Sequence, residues 1–181
     1  MRVIAGEFRS RRLKTLAGMA LRPTPDRLRE ALFNVLAPRI EGEVFLDAYA
    51  GTGSVGIEAL SRGASHAIFI EKHAGAVKVI QENLASLGLQ RRATVLHSPA
   101  APLVSRRPAG IVFLDPPYPL EQEYTAALES LGEMAAPPAL VLVQHASRVD
   151  MPLANGRLYR TRVLITGDNS ISFFVPTSGT L

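Results

Sequence analysis

The stretch Val44-Phe45-Leu46-Asp47-Ala48-Tyr49-Ala50-Gly51-Thr52-Gly53-Ser54-Val55-Gly56-Ile57-Glu58-Ala59-Leu60 decides the fold. Val44–Ala48 is almost continuously apolar, as a strand buried on both faces is. A glycine-rich turn follows, and a helical segment runs on from Ser54 to Arg62. Outward from this unit the pattern repeats. Strands are predicted at Ala67–Glu71, Ala93–His97, Ile111–Asp115 and Leu140–Gln144, with helices at Ala74–Leu87 and Glu121–Leu131. Such alternation makes an α/β protein whose sheet is mostly parallel and covered by helices on both faces. The last two runs, Tyr159–Ile165 and Ser170–Val175, are separated only by Thr166-Gly167-Asp168-Asn169, which predicts an antiparallel hairpin. Upstream, Thr24-Pro25-Asp26 opens a helix, with Thr24 as its cap and Pro25 at the first position. Leu28, Ala31, Leu32, Val35 and Leu36 recur at helical spacing on its inner face. Val3 to Leu16 reads as a small β-hairpin or extended arm. The expected layout is one domain: an arm over 1–22, a helix over 24–37, a sheet over 44–175 and a mobile tail over 176–181.

A chain of 181 residues that is 47% hydrophobic can bury one continuous core without covalent staples. It has no cysteine, which excludes disulfides, cysteine-held zinc, iron–sulfur clusters and thiol nucleophiles. The four histidines show no ligand spacing, so no metal site is expected. Apolar runs such as 139–143 are too short to span a bilayer, and Met1-Arg2-Val3-Ile4 does not open a signal peptide. The expectation is a soluble, cytoplasmic monomer with no membrane partner. The net charge of +4 is modest, but its distribution is uneven. Arg2, Arg9, Arg11, Arg12, Lys14, Arg22, Arg27 and Arg29 stand against Glu7, Asp26 and Glu30 in the first thirty positions. Arginine forks grip phosphate at two points and stack on bases, so these residues are read as nucleic-acid-binding. Genome composition or heat adaptation would explain the overall arginine bias but not its clustering.

The loop Tyr49-Ala50-Gly51-Thr52-Gly53 has the composition of a nucleotide-cofactor turn, and Gly56 would let the helix approach the strand closely. Glu71, closing the next strand, is placed to hold ribose hydroxyls. NAD sites share those features, but Asp47 discriminates. A carboxylate at the strand end suits the ammonium of a methionine moiety and would repel a pyrophosphate. The cofactor read from these residues is S-adenosyl-L-methionine, leaving as S-adenosyl-L-homocysteine. A mostly parallel sheet ending in an antiparallel hairpin is, in addition, the Rossmann-like layout of class I methyltransferases.

The run Gly110-Ile111-Val112-Phe113-Leu114 ends in Asp115-Pro116-Pro117-Tyr118. Two prolines remove backbone donors and leave carbonyls as acceptors. An exocyclic amine on a base has its lone pair delocalised into the ring, so its protons must be held and its nitrogen aimed. Asp115 and the Pro116 carbonyl can do both, and Tyr118 offers a flat face to an unstacked base. Asp115, Pro116, Pro117 and Tyr118 are therefore the catalytic candidates.

On these residues the chain resembles the bacterial RsmD-like family, the 16S ribosomal RNA guanine-N2 methyltransferases. The resemblance rests on Arg2-Val3-Ile4-Ala5-Gly6-Glu7, on the block from Arg22-Pro23-Thr24-Pro25-Asp26 to Asn34-Val35-Leu36, on Leu46 to Gly53, and on Asp115 to Tyr118. It implies methyl transfer to N2 of one guanine in a small-subunit rRNA loop, on the assembled 30S particle, at the guanine 966 type of site. Such enzymes often place Asp or Asn after the third strand to meet the cofactor adenine. Here the sequence is His97-Ser98-Pro99-Ala100, so Ser98 or backbone groups take that role. Three alternatives stay open: an adenine-N6 nucleic-acid methyltransferase, a non-catalytic rRNA-binding or assembly module, and an NAD-dependent dehydrogenase. The last lacks a second substrate domain.

Overall fold

A computed structural model describes residues 1–16, 24–100, 102, 104–106, 108–116, 121–134 and 137–177. Of the candidates above, Arg22, Pro117 and Tyr118 lie outside the described residues, as does the end of the tail from 178. In chain order the elements are α1 (Asp26–Leu36), β1 (Val44–Ala48), α2 (Ser54–Ser61), β2 (His66–Glu71), α3 (Ala74–Leu87), β3 (Ala93–His97), β4 (Ile111–Leu114), α4 (Glu121–Gly132), β5 (Leu140–Ala146), β6 (Ala154–Asn155), β7 (Leu158–Thr166) and β8 (Asn169–Pro176).

The strands form one eight-stranded sheet in the order β3-β2-β1-β4-β5-β8-β7-β6. The first five in that order pair parallel, and β8 enters antiparallel to β5. The expected α/β layout with a terminal hairpin is therefore the observed one, and it is the class I methyltransferase fold. The hairpin extends further than the sequence patterning shows, since Pro176 still pairs with Leu158 and the Thr177 N–H donates to the Arg157 carbonyl. Pro176 is the last residue of β8 and Thr177 is bonded directly after it, so the expected tail from 176 begins with two residues that belong to the hairpin. The two-residue β6 is too short to leave a periodic signal.

Side-chain alternation along the strands separates two core layers. On one face Leu28, Leu32, Phe33 and Leu36 of α1 pack with Phe45, Phe113, Leu142, Ile171 and Phe173. On the other, Tyr124, Leu128 and Leu131 of α4 meet Val112, Leu114, Val141 and Val143. Phe33 is fully buried between strand and helix side chains, and its removal to alanine would cost about 3 to 5 kcal/mol. Helix α2 is buried at every position, which is why its sequence lacks an obvious polar face.

The N-terminal segment is a compact reverse turn held by one bridge, Arg2 with Arg12, and by Val3 N–H to the Arg11 carbonyl at 3.0 Å. It is docked against the body. Val3 and Leu13 join the core formed by Ile57, Leu60, Phe69 and Ile80. Gly6, at φ +83°, passes so close to the Ser61 carbonyl that a Cβ there would lie 1.9 Å from its oxygen.

Candidate active site

The parallel strands end on one rim, and the candidate residues gather there because β1 and β4 are adjacent in the sheet. Asp47 and Phe113 are register partners, and Asp115 follows two residues further along β4's chain. On the same face, β5 carries Gln144 one step beyond the Leu114–Val143 pair. Asp47, Asp115 and Gln144 thus form a row across three neighbouring strands.

Asp47 is 2% exposed, and its Oδ2 accepts the Gly56 N–H at 2.8 Å. Burial pushes its carboxyl up to about 8; the Gly56 bond opposes this, and the neighbouring Asp115 and Glu71 carboxylates add to it. Asp115 is half-buried, and burial pushes it up to about 7 against the pull of the Thr24 hydroxyl. Two carboxyls raised side by side make a site short of positive charge.

The loop between β1 and α2 is held from two sides. Glu71 Oε2 accepts the Gly51 N–H at 2.8 Å, and its Oε1 accepts the His73 N–H at 2.8 Å. Asn83 of α3, 1% exposed, donates to the carbonyls of Thr52 and Lys14 at 3.2 Å and accepts the Lys14 N–H at 2.8 Å. Asn83 therefore links the loop to the N-terminal turn. Tyr49 sits at φ +65°, a left-handed conformation that costs a residue with a side chain of order 1 to 3 kcal/mol. Gly53 caps α2 at φ +81°, and Gly56 leaves room for Phe69, whose ring would lie 2.3 Å from any Cβ. Ala50 packs in the α2–α3 core. Ser98 follows β3 with its N–H on the Glu71 carbonyl at 3.0 Å, beside the loop, and it is partly exposed. Pro116 is buried next to Asp115.

A family profile described as Conserved hypothetical protein 95 matches residues 1–175. Ribosomal RNA small subunit methyltransferase D of Escherichia coli strain K12 is 39% identical over 169 residues, covering 90% of this chain and 84% of that one. The chain belongs to the RsmD-like family. Among solved structures, yhhF from Escherichia coli superposes on this RsmD-like chain with a TM-score of 0.86, at 29% identity over 99% of each chain. An RNA methyltransferase from Salinibacter ruber, solved in complex with S-adenosyl-L-homocysteine, shares the fold at TM-score 0.68 and 17% identity, over 87% of this chain and 96% of that one.

The basic front of this RsmD-like chain divides into exposed and buried members. Arg2, Arg9, Arg11, Arg12, Lys14 and Arg27 are exposed. Lys14 is paired with Glu82 at 2.9 Å, and Arg11 reaches the Ser86 carbonyl at 3.4 Å. Arg29 corrects the sequence reading: its side chain is 0% exposed and cannot meet a phosphate. Its Nη2 donates to the Arg2 carbonyl at 2.7 Å and to Asp26 at 2.9 Å, and its Nε lies 3.9 Å from Glu58. The helical spacing contained that signal, since Arg29 precedes Leu32, Phe33 and Leu36 by three, four and seven positions.

Two further residues escaped the sequence reading. Glu58, 0% exposed, accepts the N–H groups of Ile4 and Ala5 at 2.8 and 3.0 Å and Arg62 Nε at 2.8 Å, and so fastens the N-terminal turn to α2. Thr24 does not cap α1. Pro25, at ψ 141°, is the extended residue before the helix, and the Thr24 hydroxyl turns away to lie 3.5 Å from both Asp115 Oδ2 and Gln144 Oε1. Among the described residues, no three of His, Asp and Glu gather as a metal site, and no helix is long and apolar enough to cross a membrane.

Proposed function

We propose that this chain transfers the methyl group of S-adenosyl-L-methionine to the exocyclic N2 of a guanine in small-subunit ribosomal RNA, acting as a monomer on the assembled 30S particle in the cytoplasm. The observation that carries the reading is the row of uncompensated carboxyls at the rim, Asp47 beside Asp115 with Glu71 behind the loop. A cationic ligand fits there. The cofactor, when bound, supplies a methyl already activated on a sulfonium. Asp47 would take its ammonium, Glu71 its ribose, and Tyr49, Ala50, Gly51, Thr52 and Gly53 would follow its backbone-facing edge, with Ser98 near the adenine.

Asp115 and the carbonyl of Pro116 would hold the hydrogens of the target amine and keep its nitrogen aimed, with Pro117 and Tyr118 completing the corner. Positioning of this kind supplies most of what a preactivated donor still needs. Ionised Asp115 accepts an amine hydrogen far more strongly than the neutral carboxyl, so turnover should fall as pH drops through about 7. The N2 and N1 positions of guanine both present donors, which suits a corner built from acceptors better than adenine does. Arg2, Arg9, Arg11, Arg12, Lys14 and Arg27, with Arg22, would hold RNA phosphates beside the cleft and position the substrate without reading its sequence.

The test is incubation with labelled S-adenosylmethionine and 30S particles lacking the modification, followed by nucleoside analysis. N2-methylguanosine at one position is the expected product. N6-methyladenosine would replace guanine by adenine in the reading, and no incorporation into either particles or bare rRNA would sink it.

A further inference from the structure

Beside Asp115 at the rim stand two polar residues that the proposed reaction does not use. Thr24 is 6% exposed and Gln144 is 5% exposed, and both stand against Asp115. The Thr24 hydroxyl has one hydrogen to give and two acceptors at equal distance, Asp115 Oδ2 and Gln144 Oε1, each at 3.5 Å. Buried polar groups sharing one donor are an unusual arrangement to keep in a core, because whichever acceptor goes without is left under-bonded. It also bridges distant parts of the chain. Thr24 belongs to the segment leading into α1, whose Arg29 holds the N-terminal turn, whereas Asp115 follows β4 directly and Gln144 is the third residue from the end of β5.

We propose that Thr24 and Gln144 are positioning residues for the transfer. Thr24 pins one oxygen of the Asp115 carboxylate and leaves the other for the substrate amine, and Gln144 competes for the same hydrogen and so sets how firmly the carboxylate is held. This deepens the reading given under the proposed function and rests on Asp115 being the group that meets the amine. Among the described residues the groups facing Asp115 are few. Thr24 comes from the segment before α1, Gln144 from β5 and Asp47 from β1, with Glu71 beyond it on β2. Among the described residues Asp115 forms no ion pair. His145, next to Gln144, points to the opposite face. Its Nδ1 donates to the Ala146 carbonyl, and its Nε2 accepts from the Ser172 hydroxyl, both at 2.9 Å.

The arrangement makes two substitutions act in opposite directions. A hydrogen bond from Thr24 favours the charged form of Asp115, so its loss in Thr24→Val should raise the carboxyl's pKa and move the acid limb of the kcat profile to higher pH. Loss of the competitor in Gln144→Leu hands the hydrogen to Asp115 alone and should move the limb to lower pH. Thr24→Val should also lower kcat about tenfold at neutral pH, the usual weight of a hydrogen bond to a charged group, while KM for the particle and affinity for S-adenosylhomocysteine stay put. Thr24→Ser should restore both kcat and profile.

The deciding measurement does not depend on turnover: a carboxyl-carbon NMR titration of Asp115 in wild type, Thr24→Val and Gln144→Leu, with kcat against pH beside it. Opposite shifts of the Asp115 titration support the proposal. Equal or same-signed shifts overturn it, even if the wild type is a competent methyltransferase. Should Thr24→Val fail to fold, Gln144→Leu decides alone, with a downward shift supporting the proposal and no shift or an upward one overturning it. A wild type that methylates no rRNA, yet shows the opposite shifts, would overturn the functional reading while leaving the hydrogen-bond competition in place.

Discussion

Two carboxylates are buried in the β1–α2 unit, one on the strand and one on the helix, and their surroundings could hardly differ more. Glu58 is met by two backbone N–H groups and by Arg62, with Arg29 at 3.9 Å on the same carboxylate. Asp47 has one backbone N–H, and its nearest charges are carboxylates. The first arrangement is complete without a ligand and fastens one segment to another. The second is incomplete, and it lies at the strand ends where α/β proteins bind their ligands. Burial alone does not separate a structural acid from a functional one; what does is whether the protein itself supplies the opposing charge.

The contrast is most easily broken at Glu58. Its replacement by alanine removes the one fully buried counter-charge of Arg29, leaving it only the exposed Asp26, strips Arg62 of its partner and frees the turn at Ile4 and Ala5, so a loss of about 3 to 5 kcal/mol is expected in denaturant unfolding. A loss below about 1 kcal/mol would make the cluster incidental. At the other end Asp115→Ala should retain S-adenosylhomocysteine binding and reduce turnover about a hundredfold, the cost of removing a donor or acceptor aimed at a reacting group. Retained turnover would remove Asp115 from the chemistry.

Asp47→Asn should cut S-adenosylhomocysteine affinity at least about tenfold by calorimetry and at the same time stabilise the free protein. A carboxyl raised from 3.8 to about 8 by folding takes up a proton that the unfolded chain lacks, so its contribution to stability falls as pH rises from about 4 to 8. The asparagine variant escapes that loss. Its advantage should be absent at about pH 4 and grow steadily towards about pH 8, and an equal difference at both would assign the effect to something other than charge.

The smallest effect belongs to the surface. Joint replacement of Arg9, Arg11 and Arg12 should leave stability and cofactor affinity alone and flatten the salt dependence of particle binding, by roughly 0.7 to 0.9 log units per log unit of salt for each phosphate no longer neutralised. Arg29→Ala should do the reverse, lowering stability without a direct effect on the slope.

The strand–loop–helix unit, the mostly parallel character of the sheet and the closing hairpin were legible because each leaves a period or a turn in the sequence, whereas the order of the strands leaves neither and is seen only in the fold. The places of Asp47, Glu71 and the glycine loop were legible for the same reason, being fixed to strand ends. Glu58 was not, because an acid four residues before Arg62 reads as an exposed helix pair until the N-terminal turn is known to cover it. Arg29 was misread because charge was weighed above helical position. Thr24 could not be found locally at all. Its partners are ninety-one and one hundred and twenty residues away, and only the adjacency of β4 and β5 brings them under it.

The reversal of β8 against its neighbours has a practical use. Because β8 runs antiparallel to β5, Asn169 lies opposite Ala146, so the Gly167-Asp168 turn that joins β7 to β8 is carried to the same rim as Asp115. Ser147 holds that turn, with its N–H on the Asp168 carbonyl and its hydroxyl on that of Gly167. Lengthening a hairpin loop raises its closure entropy only slowly, by about 0.6 kcal/mol for each doubling. The turn is therefore a graft point: a short RNA-binding peptide inserted between Gly167 and Asp168 would stand at the rim that carries Asp115 and would offer a second RNA a place there while every strand of the sheet keeps its partner.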